Sequence, residues 1–110
     1  MSEGNAIPLQ AAVVTMLLAK RPQLGALPIN WELRNDGTVH VDLAVCARST
    51  FVPAIASELA KAMRGATLEV SGRLKFSDGR PYRSHRVRGK HAGVQVVFDG
   101  LEYLDGGDES

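Results

Sequence analysis

Two Asp-Gly pairs, Asp36-Gly37 and Asp78-Gly79, each follow a run that alternates apolar and polar residues. An Asp-Gly pair tolerates the positive φ angles of a tight hairpin, and an alternation of period two puts successive side chains on opposite faces of a strand. Ahead of the first turn, Ile29, Trp31 and Leu33 alternate with Asn30, Glu32 and Arg34. Beyond it, Val39, Val41, Leu43 and Val45 alternate with His40, Asp42, Ala44 and Cys46. Ahead of the second turn, Leu68, Val70, Leu74 and Phe76 are expected on one face, with Thr67, Glu69, Ser71, Arg73 and Lys75 on the other. The stretch "RPYRSHRVR" is the return strand, and Pro81 confines it to an edge or a strand start. "GKHAG" reads as another turn, and "VQVVFDGLEYL" as a last strand with Val94, Val96 and Phe98 on one face. Strands of this kind have an apolar side that must find cover.

Two helices can supply it. From about Pro8 to Arg21, Val13, Met16 and Leu17 recur at helical spacing, widened by Val14 and Leu18. Pro8 suits a first turn, Lys20 and Arg21 suit the negative end of the helix dipole, and Pro22 stops the helix. In "STFVPAIASELAKAMRG", Val52, Ile55, Ala56, Leu59, Ala62 and Met63 form one face, opposite Ser57, Glu58, Lys61 and Arg64. Ser49 or Thr50 is the expected cap, and Gly65 the left-handed stop. The expected fold is therefore α+β in the order α-β-β-α-β-β-β: an antiparallel sheet of about five strands with two helices on one face. Residues 1–7 are expected to be disordered, 8–104 to form a single domain, and 105–110 to be an acidic flexible tail.

A chain of 110 residues, 45% of them hydrophobic, can build one real core without staples. Its single cysteine, Cys46, excludes an internal disulfide and a thiolate metal cluster, and its place in an alternating run predicts a packed thiol. The apolar run at residues 11–19 is too short to cross a bilayer and lacks the flanks of a signal peptide. These features point to a soluble cytoplasmic protein with no membrane partner.

Net charge is only +1, but its distribution is uneven. Residues 73–91, "RLKFSDGRPYRSHRVRGKH", hold seven of the thirteen Lys and Arg, opposed by Asp78 alone. From Asp99 to the end, five of the twelve acidic residues occur without a base. Cations replace the counterions condensed on phosphates, and an aromatic ring among them can stack on an unpaired base. The candidate nucleic-acid-binding residues are Arg73, Lys75, Arg80, Tyr82, Arg83, Arg86 and Arg88, for a single- or double-stranded partner. Strand alternation splits the return strand, with Arg83, His85 and Val87 on one side and Tyr82, Ser84, Arg86 and Arg88 on the other. The plainer alternative is a solvent-facing edge charged against aggregation, with the acidic tail a solubilising terminus. A third reading is a protein-interaction or homodimerising module that uses a free sheet edge and apolar residues such as Val97 and Leu104.

Chemistry at a catalytic or metal centre is not expected. His40, His85 and His91 lack ligand spacing. Asp42 shares a strand face with His40, but no nucleophile completes a triad. No glycine-rich phosphate loop is present, and no cofactor is implied.

Two resemblances follow from these motifs. Residues 55–88 resemble the helix–strand–hairpin middle of bacterial single-stranded-DNA-binding proteins of the OB fold, through Gly65, Val70, Gly72, Leu74, Asp78 and Gly79. The chain departs from that family in its leading helix and in lacking the run of base-stacking tryptophans and the acidic tail tip. Over a longer span it is similar to small uncharacterised α+β proteins of actinobacteria, through Leu27, Pro28, Trp31, Asp36, Gly37, Ser84, His85, Gly89, Gly93 and Val94. That similarity implies a fold and no activity.

Overall fold

A computed structural model describes the backbone of residues 2–104 and the side chains of residues 9–104. The order is α1 (Ser2–Lys20), β1 (Ile29–Leu33), β2 (Val39–Leu43), α2 (Val52–Ala62), β3 (Thr67–Val70), β4 (Leu74–Lys75), β5 (Pro81–His91) and β6 (Val94–Tyr103), with 3-10 turns at Pro22–Ala26 and Ser49–Phe51. The fold is α+β, with a sheet of six strands in the order β1-β2-β6-β5-β3 and β4 also paired to β5. All pairings are antiparallel except β2 with β6, which run parallel from Val39 opposite Val96 to Val41 opposite Phe98. This is the α+β class expected, with a mostly antiparallel sheet; the one parallel pairing is the departure. No helix of the described residues is long and apolar enough to cross a membrane.

Helix α1 extends past the expected start to Ser2, so the expected disordered segment lies largely inside it. Pro8 is internal rather than in the first turn. Its fixed φ is already helical, and the missing N–H costs one backbone bond. The acidic tail at 105–110 lies outside the described residues.

Val13 and Leu17 of α1 pack with Val52, Ile55, Ala56, Leu59, Ala62 and Met63 of the α2 segment against one face of the sheet. That face presents Val39, Val41, Val87, Val96 and Phe98, all buried. Gln10 is buried with them and donates its amide hydrogens to the carbonyls of Arg34 and Thr38, tying α1 to the first hairpin. The Asp36 carboxylate accepts from the N–H and hydroxyl of Thr38 at 3.0 and 2.6 Å, which closes the turn. Those bonds hold the Asp36 carboxyl below its usual range.

Strand β2 ends at Leu43. Val45 and Cys46 lie in the following turn, both exposed, and Cys46 adopts φ 69°. The thiol is thus not packed, because the alternating run outlasts the strand by one turn. No hydroxyl caps α2, whose start is extended by the 3-10 turn instead. The Ser49 hydroxyl accepts the Tyr103 N–H at 3.0 Å and anchors the end of β6.

The run before Asp78-Gly79 is two strands, not one. Thr67 pairs with Arg88 and Val70 with His85. Continuing that register would set Leu74 opposite Pro81, yet Leu74 lies opposite Tyr82. One extra residue is therefore accommodated around Ser71–Arg73, as in a β-bulge. The Ser71 hydroxyl accepts the Ser84 N–H at 2.9 Å there. A one-residue slip turns the following side chains to the other face. Leu74 thus parts company with Leu68 and Val70, and Lys75 with Thr67 and Glu69.

Strand β5 also continues through "GKH", where a turn was expected. The turn is Ala92-Gly93, with φ 53° and 82°, a two-residue hairpin that pairs His91 with Val94 and runs unbroken to Tyr82 opposite Tyr103.

Candidate functional site

Both helices lie on one side, so the opposite face of the sheet carries no helix among the described residues. The β5–β6 register fixes what this bare face presents. Tyr82, Ser84, Arg86, Arg88 and Lys90 of β5 stand opposite Tyr103, Leu101, Asp99, Val97 and Gln95 of β6. The bulge adds Leu74 beside Tyr82. Phe76 stacks on Tyr82 with ring centroids 4.2 Å apart and lies 5.9 Å from Tyr103. One end of the face is therefore aromatic and aliphatic, with Leu74, Leu101 and Tyr103 exposed by 42, 40 and 56%. The other end carries Arg86, Arg88 and Lys90 in alternation, with Glu69 of β3 opposite Arg86.

Asp99 sits at the basic end. It accepts from Arg86 Nε at 3.0 Å and from Arg88 Nη2 at 3.1 Å. Partial burial pushes its carboxyl up, but the two guanidinium hydrogen bonds outweigh this and hold it below the usual carboxylate range. Arg88 also donates Nη1 to the carbonyls of Val87 and Phe98, so its guanidinium is held in place. A depression of about 230 Å³, lined by Ser84, Arg86, Asp99 and Leu101 among others, separates the two ends.

The structure brings together only part of the expected cation set. Tyr82, Arg86 and Arg88 share the bare face. Arg80 lies at its aromatic end, 5.7 Å from the Phe76 ring and paired with Asp78 at 2.8 Å. The Arg80 backbone N–H, together with that pair, keeps the Asp78 carboxyl low. Arg83 and Lys75 fall on the helix side, opposite Glu102 and Pro81 respectively. Arg73 is exposed in the bulge. Strand alternation puts Arg83 there, and the bulge does so for Lys75. His85, also on the helix side, is buried and meets Glu102 across 2.9 Å.

Asp99, Leu101 and Tyr103 were absent from the expected site. Their alternation was visible, but only the Ala92-Gly93 register places them beside Tyr82 and Arg86. Val97 was expected to be exposed and is buried, because it stands between Arg88 of β5 and His40 of β2 in mid-sheet. Leu104 is half-buried. His40 lies on the bare face opposite Glu32, and Asp42 opposite Asn30. Among the described residues no three His, Cys, Asp or Glu side chains gather within a metal's reach.

Comparison of the chain with known protein families, with curated proteins and with solved structures gives no match.

Proposed function

We propose that this chain is a non-catalytic binding module that holds single-stranded nucleic acid against the bare face of its sheet. One observation carries the reading: Tyr82, Arg86, Arg88 and Lys90 of β5 alternate onto the same uncovered face as the exposed Tyr103 of β6. Rings on an open sheet stack on unpaired bases, which a duplex would keep out of reach. The adjoining cations engage the phosphates without regard to sequence. The resemblance of residues 55–88 to single-stranded-DNA-binding proteins points the same way. Asp99 offsets part of the positive charge, so affinity is modest and salt-sensitive.

Fluorescence anisotropy with a labelled single-stranded oligonucleotide tests this. Binding at low salt should weaken roughly 5- to 150-fold in Tyr103→Ala, the loss of one base stack. No binding at tens of micromolar protein in low salt ends the proposal.

A second reading, self-association, is favoured by the free edge at β3, where Leu68 and Val70 are exposed. An unpaired edge of this kind can add a strand from another copy. Light scattering after size exclusion decides it, and a strict monomer excludes it.

A further inference from the structure

We infer that Arg64, Arg88 and Lys90 together form a seat for a phosphate group at the basic end of the ribbon. Arg64 lies outside the basic stretch of the sequence, at the end of α2. There the chain leaves the helix, and Gly65 turns it into β3 with φ 78°. What brings this corner against β5 is Gly89. A Cβ built on Gly89 would lie 3.0 Å from the Met63 sulfur and 3.0 Å from the Ala66 Cβ. The missing side chain lets the helix end settle directly on the strand, which sets Arg64 beside Arg88 and Lys90.

The three cations border a depression of about 440 Å³. Thr67 and Gln95 also line it, and no carboxylate does; the Thr67 hydroxyl donates to the Arg88 carbonyl at 3.4 Å, while Gln95 offers an amide. Asp99 holds Arg88 but is not among the lining residues. Arg64 and Lys90 are exposed and form no ion pair among the described residues. The Arg88 guanidinium is fixed through Nη1 and Nη2, which leaves Nε–H without a partner among the described residues. Three cations around one concavity, one of them pre-oriented, with the Gln95 amide beside them, suit a tetrahedral anion. The group is a phosphate, either free or as the phosphodiester of a strand. This deepens the proposed nucleic-acid reading and rests on it for the identity of the polymer: the seat takes the backbone while the aromatic end takes bases.

Inorganic pyrophosphate is titrated into the full chain and followed by amide chemical shifts, with Arg64→Ala/Lys90→Ala as the test variant and Arg48→Ala as the control. Saturable shifts are expected at residues 64–67, 88–90 and 95, with affinity lowered about tenfold or more in the double variant and unchanged in the control. The same spectra report whether each variant is folded. Shifts spread equally over Arg48 and Lys20, or a double variant that binds like the parent, overturn the seat. A labelled oligonucleotide forms the second arm. Pyrophosphate bound at the seat without oligonucleotide binding supports the seat and refutes the nucleic-acid reading. Oligonucleotide binding that the double variant leaves unchanged refutes the seat and spares that reading.

Discussion

Asp99→Asn should strengthen nucleic-acid binding, the opposite of what removal of a structural ion pair would do. The Asp99 carboxylate holds Arg86 and Arg88 at 3.0 and 3.1 Å. Four cations, Arg64, Arg86, Arg88 and Lys90, border the bare face and the seat; Asp99 offsets one of them, and Glu69 of β3, opposite Arg86, offsets another. For a single strand the salt slope of log affinity is about −0.7 per phosphate neutralised, so two effective contacts give roughly −1.4 and three give roughly −2.1. Between 50 and 200 mM salt, the parent should lose roughly 7-fold in affinity and Asp99→Asn roughly 20-fold. The variant should also be the tighter binder at low salt. The folding cost is small, because the Asp99 side chain is 56% exposed and surface pairs contribute about 1 kcal/mol or less. Anisotropy titrations at four or five salt concentrations, with urea unfolding as a check on the fold, measure both effects. Equal slopes, or weaker low-salt binding by a stably folded variant, would refute the assignment of these cations to phosphate.

Two further predictions concern the scaffold. Gly100→Ala should destabilise by about 1–3 kcal/mol in urea unfolding, as overpacking does. Its new Cβ would lie 2.7 Å from Phe98 Cζ and 3.0 Å from Val52 Cγ1, and both side chains are fully buried. A variant as stable as the parent would show that α2 does not rest on β6 there. Stability should also fall in acid. Asp36, Asp78 and Asp99 sit below their ordinary value of 3.8, and Glu58, hydrogen-bonded by Arg21, below 4.5. Groups depressed in the folded state stabilise it above their unfolded values, and that contribution is lost as pH falls through the folded ones. Urea midpoints should therefore be flat in these groups from pH 7 to about 5 and drop below about pH 4.5. A midpoint unchanged down to pH 3 would contradict the pairings.

Local patterns made much of this fold legible. Asp36-Gly37 with its flanking alternation identified the first hairpin, and the apolar stripe from Val52 to Met63 marked the buried side of α2. Features set by distant contacts left no such trace. The parallel pairing of β2 with β6 has no periodic signature, since each strand alternates equally well beside any neighbour. The bulge at Ser71–Arg73 broke an alternation that looked continuous, and it moved Leu74 and Phe76 onto the bare face. Gly89 read as a turn residue because glycine permits turns, whereas its role here is to admit Met63 and Ala66. The site was half legible for the same reason. Alternation along β5 put Tyr82, Arg86 and Arg88 on one side, but joining them to Tyr103 and Asp99 required the register, and adding Arg64 required the helix–strand contact.

The parallel junction of β2 with β6 has a consequence for biosynthesis. During translation the early hairpin and the later ribbon are separate pieces of sheet, and among the described residues the strand pairing that joins them is that of 39–41 with 96–98. Until the later of these segments clears the ribosomal tunnel, β2 exposes an unsatisfied rim and the helices have no closed surface on which to settle. Folding therefore waits for the polypeptide to emerge almost to Tyr103, and the non-local closure slows it further.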